Sequence, residues 1–263
     1  MLDGPAKGVV YLPENNTLLA ALPAEVLGRL RADLVPVAMP LGHVIYESGV
    51  ELKHVYFPAP GCIVSMLYVM TDGSSAEIAV VGDEGMVGIA LFMGGGSTPS
   101  RALVQSAGMA FQLKAEALTR EFERHSGLQL LLLRYTQALI TQTSQTAVCN
   151  RHHTLDQQLC RWLLLSLDRL PTNVLSMTQE LIANMLGVRR EGVTEAAGKL
   201  QDQGLIQYSR GRITVLDRPG LEARVCECYQ VVKDEYDRLL SVKYGGSVPA
   251  SAAVIPKVST RKA

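Results

Sequence analysis

The stretch Ser176 to Leu200, SMTQELIANMLGVRREGVTEAAGKL, constrains the fold more than any other part of the chain. It reads as two short helices joined by a tight turn. Ser176 followed three residues later by Gln179 is a capping-box pattern, in which a hydroxyl and an amide satisfy backbone N–H groups left open at a helix start, so a helix is expected from Ser176. Leu181, Ile182, Met185 and Leu186 fall on one stripe, and Gly187 stands where a turn between helices needs positive φ. The second helix is expected to start near Val188. Val193, Ala196, Ala197 and Leu200 follow i, i+3, i+4, i+7 spacing, which turns Arg190, Glu191, Thr194 and Glu195 away from the core.

After Leu200, Leu205 to Tyr208 and Ile213 to Leu216 read as strands around a Ser209-Arg210-Gly211 turn. Two amphipathic helices with a glycine turn suit many helical domains. A basic hairpin behind them is more specific: it has the form of a wing beside a helix that enters a major groove. In that geometry arginine reaches guanine and glutamate accepts from cytosine, while Arg210 and Arg212 touch phosphates and set register.

Upstream, glycine and proline recur from Pro36 to Gln112, with β-rich runs such as HVYF, CIVSMLYVM and AEIAVV between them. Short strands with turns at this spacing predict an antiparallel barrel or jelly roll. Short helices are expected at Leu22 to Leu34 and Lys114 to Glu123. Leu128 to Asn150 contains no Pro or Gly and makes a rod of roughly 30 Å. Leu132, Tyr135 and Leu139 form one seam of it and Leu133, Thr136, Ile140, Thr143 and Ala147 another, one for the sheet and one for a second copy of the chain. His152 to Leu170 is read as a helix with Trp162 as core anchor. Leu221, Val225, Cys228, Val232 and Leu239 mark one further helix ending near Gly245, and Gly246 to Ala263 reads as a disordered tail. The expected class is α+β: a jelly-roll sensor domain (1–125), a dimerisation helix (126–150), a winged helix-turn-helix domain with an extra C-terminal helix (151–244), and the tail (245–263).

The stretches TQELIANMLGVRREGVTEAAGKLQDQGLI and RGRITVLDRPGLE resemble the Crp/Fnr family of bacterial transcription regulators, and the resemblance runs from Leu22 to Leu221. It implies a cyclic-nucleotide-binding-type β-roll and a homodimer on a roughly palindromic operator, with double-stranded DNA, a second copy of the chain and RNA polymerase as partners. Carried over by residue, Arg190 and Glu191 keep base-reading places, and Thr178, Thr194, Arg210 and Arg212 complete the DNA-facing set. Arg189 stands where relatives have a capping Ser or Thr, and Glu195 where they often have a second arginine, so the half-site is expected to differ. In the ligand loop, GMVGIALFMGGGSTPSRALVQ, Gly88 matches, but Ile89 replaces the ribose-binding glutamate, and Arg101 is followed by Ala102. Thr143 and Ser144 stand where polar groups would reach a nucleotide across the dimer. Ile89 cannot accept a ribose hydroxyl's hydrogen bond, which would cost about 1 to 3 kcal/mol. No cyclic nucleotide or other cofactor is expected. Gly94 to Gly96 is read as a flexible loop rather than an anion cradle.

The formal charge is zero, 25 basic against 25 acidic residues, so a coat of nucleic acid is excluded and DNA affinity must come from the local cluster Arg189, Arg190, Arg210 and Arg212. The five cysteines are odd in number and scattered, which argues against a disulfide framework. Cys226-Glu227-Cys228 is a lone pair, and the adjacent His152 and His153 cannot face one point, so no metal site or iron–sulfur cluster is expected. GxSxG, HExxH and P-loop patterns are absent, so no enzyme is expected. No long apolar run or leader is visible, and a soluble cytoplasmic protein without a membrane partner is expected. Two rival readings are a constitutive DNA-binding regulator whose roll is a ligand-free scaffold, and a protein-interaction module that does not bind DNA.

Overall fold

The structure is a computed structural model that describes residues 10–240. In chain order the elements are α1 (Thr17–Ala20), α2 (Ala24–Arg31), β1 (Val35–Met39), β2 (Val44–Tyr46), β3 (His54–Pro58), β4 (Ile63–Val69), β5 (Ser75–Val81), β6 (Arg101–Ser106), β7 (Gly108–Lys114), α3 (Ala115–Phe122) and α4 (Gly127–His152). There follow α5 (Leu155–Leu167), β8 (Val174–Ser176), α6 (Gln179–Leu186), α7 (Arg190–Asp202), β9 (Ile206–Ser209), β10 (Arg212–Val215), α8 (Arg218–Arg224) and α9 (Cys228–Leu240). None of the described helices is long and apolar enough to cross a membrane.

Strands β1 to β7 form the expected jelly roll from two antiparallel sheets, ordered β1-β7-β3 and β2-β6-β4-β5. Phe57 on β3 pairs with Phe111 on β7, and both rings lie in the core with Ile63 and Leu113. The helix expected over Leu22 to Leu34 is shorter, because Pro23 sets its first cap and Leu34 already lies beyond its end.

Helix α4 is capped by Ser126, whose hydroxyl accepts from the Leu128 N–H, and runs without interruption from Gly127 to His152. Leu128, Leu132, Tyr135 and Leu139 are buried against the roll. The Tyr135 hydroxyl donates to the Met86 carbonyl at 2.9 Å. Its ring fills the space a side chain at residue 85 would need, since a Cβ there would lie 2.6 Å from Tyr135, so Gly85 is required by packing. The opposite side of α4 leaves Leu130, Leu133, Ile140 and Val148 exposed. The second expected seam is therefore split: Leu133, Ile140 and Ala147 face outward, whereas Thr136 is buried with its hydroxyl bonded back to the Leu132 carbonyl.

In the C-terminal lobe two expectations need correction. Ser176 does not begin a helix; it ends β8, opposite Arg212 of β10, and the cap comes instead from Thr178, whose hydroxyl accepts from the Leu181 N–H. Strand pairing won Ser176 over its capping signal. The single helix expected from Leu221 to Gly245 is broken: α8 ends at Arg224, Val225 is extended, and α9 starts at Cys228. The end near Gly245 and the tail lie outside the described residues.

The lobes touch. Helix α6 packs on β5, where a Cβ on Gly187 would come within 3.2 Å of Ala76 and the Ser75 hydroxyl donates to the Asn184 carbonyl at 3.3 Å. Helix α9 lies along α4 of its own chain. Gln142 on α4 is the hub of that packing: its amide donates to the Val80 carbonyl at 3.2 Å and to the Tyr236 hydroxyl at 3.3 Å, and its oxygen accepts from the Val80 N–H at 2.7 Å.

Candidate nucleic-acid interface, roll cavity and cysteine cluster

Gly187 closes α6 at φ +66°, a left-handed cap that glycine adopts without strain, and the chain re-enters a helix at Arg190. Arg189 is the N-cap residue and its side chain makes no cap hydrogen bond, so the guanidinium projects from the helix start. Val193, Ala196, Ala197 and Leu200 are buried, and the small alanines let α7 sit close on α5 and α6. Arg189, Arg190 and Glu191 are exposed and form no ion pair among the described residues. Thr194 is exposed, but its hydroxyl donates to Gln179 Oε1 at 2.8 Å and so ties the two helices together. Glu195 is paired with Lys199 at 2.9 Å, which holds its carboxyl below the usual range and reduces its repulsion toward a phosphate.

The hairpin turn has Arg210 at φ +50° and Gly211 at φ +74°, the two successive left-handed residues of a type I′ turn, whose twist matches the flanking strands. This conformation puts an arginine at the wing tip. Arg212 follows on β10, exposed and without an ion pair among the described residues. Thr178, Arg190, Tyr208 and Arg210 line a groove of about 510 Å³ between the start of α6 and the wing.

The six candidate ligand residues do not meet in one place. Ile89, Thr143 and Ser144 line a cavity of about 270 Å³ between the roll and α4, together with Tyr46, Met66 and Leu139, and none of its lining residues is charged. Gly88 adjoins it at φ +107°, starting the short 3-10 turn Ile89–Leu91. Arg101 stands outside the lining and donates from Nε and Nη2, one edge of its guanidinium, to the Glu47 carboxylate at 2.7 and 2.8 Å. Ala102 is fully buried on β6.

The seam between the lobes holds a buried carboxyl. Glu77 on β5 is pushed up to about 7 by burial, against the Ser65 hydroxyl and the positive charges of Arg161 and Arg169. Arg169 is itself buried and paired with Glu84 at 2.7 Å.

A further cluster was not visible in the sequence. Cys149 on α4, His153 at its C-cap, and Cys226 and Cys228 beside the break before α9 come together with their ligand atoms all within 4.8 Å. The pair Cys226 and Cys228 is thus not isolated, and His153 reaches it without His152. The available signal was the four-residue spacing of Cys149 and His153, which places both on one helical face; the distance of 77 residues to Cys226 hid the other half.

The described residues form a jelly roll joined by a long helix to a winged helix-turn-helix lobe that exposes Arg189, Arg190, Arg210 and Arg212. Residues 157–224 match the family model of the Crp-like helix-turn-helix domain. Solved structures give the same fold over most of the chain. A Crp/Fnr-family transcriptional regulator of Eubacterium rectale is 20% identical with a TM-score of 0.61, covering 82% of this chain and 99% of that one. FixK2 of Bradyrhizobium japonicum is 18% identical with a TM-score of 0.64, covering 73% and 98%. The c-di-GMP responsive regulator CLP of Xanthomonas campestris is 16% identical with a TM-score of 0.60, covering 74% and 100%. Among curated protein sequences, none matches. The C-terminal lobe thus matches the Crp-like helix-turn-helix domain, and the described chain has the fold of solved Crp/Fnr-family structures.

Proposed function

We propose that this chain is a sequence-specific DNA-binding transcription regulator of the Crp/Fnr type, not an enzyme, acting in the cytoplasm as a homodimer on a roughly palindromic operator. The observation that carries this reading is the exposed start of α7, where Arg189, Arg190 and Glu191 stand without ion pairs among the described residues, beside the wing that carries Arg210 and Arg212, within a matched Crp-like domain. Unpaired charge at a helix start beside a basic wing suits a duplex: α7 enters the major groove, Arg190 and Glu191 meet base edges, and Arg189, Arg210 and Arg212 neutralise phosphate. Thr178 and Thr194 support this face by capping α6 and holding the helices together. Leu133, Ile140 and Ala147 on the exposed side of α4 suit pairing with the same helix of a second copy, which sets the spacing of two recognition helices. RNA polymerase is the further partner of such a dimer.

The roll favours a second point within this reading. Its cavity has no charged lining residue and Arg101 is paired with Glu47, so no cation in the lining meets a phosphate, and on this reading the roll acts without a cyclic nucleotide. Selection of bound duplexes from a random pool tests the proposal. An enriched sequence with two related half-sites about one helical turn apart is expected. Recovery of no preferred sequence would overturn it and favour an interaction module. Repeating the selection with cyclic AMP and cyclic GMP should leave the enrichment unchanged.

A further inference from the structure

Four residues that the DNA-binding reading leaves unused converge where α4 ends. Cys149 lies in the last turn of α4 and His153 is its C-cap, with its backbone N–H bonded to the Cys149 carbonyl, and the break between α8 and α9 presents Cys226 and Cys228 to the same point. Cys149 Sγ lies 3.6 Å from Cys226 Sγ, and Cys228 Sγ lies 3.5 Å from His153 Nδ1. Zinc bonds of about 2.3 Å to sulfur and about 2.0 Å to nitrogen put tetrahedral neighbours about 3.8 Å apart for two sulfurs and about 3.6 Å for sulfur and nitrogen. Both observed edges are close to those lengths. The remaining edges, at no more than 4.8 Å, need only small side-chain rotation to close.

The surroundings fit a cation better than a bare thiol cluster. The three cysteines are buried, at 0, 3 and 1% exposure, and the His153 side chain is 15% exposed. His153 turns its other nitrogen, Nε2, to Glu227 Oε2 at 3.3 Å, the carboxylate–imidazole pairing that fixes a histidine for metal ligation through Nδ1. Three thiolates and one divalent cation leave one negative charge, which the positive charge of the buried Arg161 guanidinium opposes. A disulfide between Cys149 and Cys226 would require about 2.05 Å between sulfurs and would leave Cys228 and His153 without a role. Sulfur donors exclude the hard cations calcium and magnesium.

We propose that Cys149, His153, Cys226 and Cys228 bind one thiophilic divalent cation, zinc, in a closed structural site that pins the α8–α9 junction to the end of α4. Binding forms three sulfur–zinc bonds and one nitrogen–zinc bond, and the displaced thiol protons pass to solvent. The site then holds α9 along the helix that carries the exposed Leu133 and Ile140 stripe.

The test uses the full-length chain purified under reducing conditions. Its metal content is expected to be one zinc per chain. After removal of metal by a chelator, cobalt should restore the visible bands of tetrahedral thiolate-bound cobalt, and added zinc should abolish them. Cys226→Ser and Cys228→Ser should each weaken zinc binding by about 100-fold or more, and Glu227→Gln by about 10-fold, while Cys62→Ala keeps full zinc content. A reduced chain that takes up neither zinc nor cobalt overturns the site, whatever the variants do. So does zinc content unchanged in both serine variants, or a stoichiometric Cys149–Cys226 disulfide in the reduced preparation.

Discussion

The start of α7 and the cavity of the roll treat charge in opposite ways. At α7, Arg189, Arg190 and Glu191 are exposed and unpaired among the described residues, beside a wing whose tip is an arginine. In the roll, the arginine nearest the ligand loop is clamped by Glu47, and the cavity lining is uncharged. Free charge at a surface fits a charged partner, whereas charge satisfied within the chain leaves little for a ligand to gain. On the proposed function, the difference assigns recognition to the C-terminal lobe and leaves the roll as the body against which that lobe is held.

The largest expected effect separates the two lobes' contributions. Leu133→Glu combined with Ile140→Glu puts like charges on a stripe that is 52 and 53% exposed at those residues, so the chain itself should still fold. Sedimentation should give a monomer, and operator affinity should fall by about 100-fold or more because two half-sites are no longer bound together. Dimers that persist would remove α4 as the pairing element.

Next in size is the pH response of the seam. Glu77 has an ordinary value of 4.5 and is raised to about 7 in the folded chain, so the folded state holds more protons between those values. Its stabilising effect is therefore complete below about pH 4.5 and is lost as pH rises through 7, a change of up to about 3 kcal/mol. Urea unfolding at about pH 5 and about pH 8 should show this slope in the wild type and a flatter one in Glu77→Gln. Equal slopes would mean that Arg161 and Arg169 already hold Glu77 ionised.

Within the C-terminal lobe, Arg190→Ala should cost about 1 to 3 kcal/mol at one base position and relax preference there. Arg210→Ala should weaken all sequences alike and reduce the salt slope by about 1. If the two variants behaved identically, the division between base reading and phosphate contact would fail.

How much of this was legible follows from the range of the signals. The jelly roll, α4, α7 and the wing are written in local periodicity and in the Arg210-Gly211 turn, and they form as expected. Ser176 misled because a local capping signal lost to pairing with Arg212, a partner 36 residues away. The break at Val225 was missed because its apolar spacing continues a helical stripe, although the chain there turns to bring Cys226 and Cys228 to α4. Glu77, Arg161 and Arg169 each look like surface charges in sequence, and only the docking of the two lobes buries them.

The smallest effects test the roll side. Exposed as it is, the Glu47 and Arg101 pair should matter little to folding, so Glu47→Gln should barely move the melting midpoint. Ile89→Glu restores the carboxylate that a ribose would need, yet it supplies no cation for a phosphate while Arg101 remains on Glu47. Millimolar cyclic AMP should therefore shift the melting midpoint of neither the wild type nor Ile89→Glu. A shift with Ile89→Glu alone would show that the missing carboxylate, and not the engaged arginine, closes the roll to nucleotides.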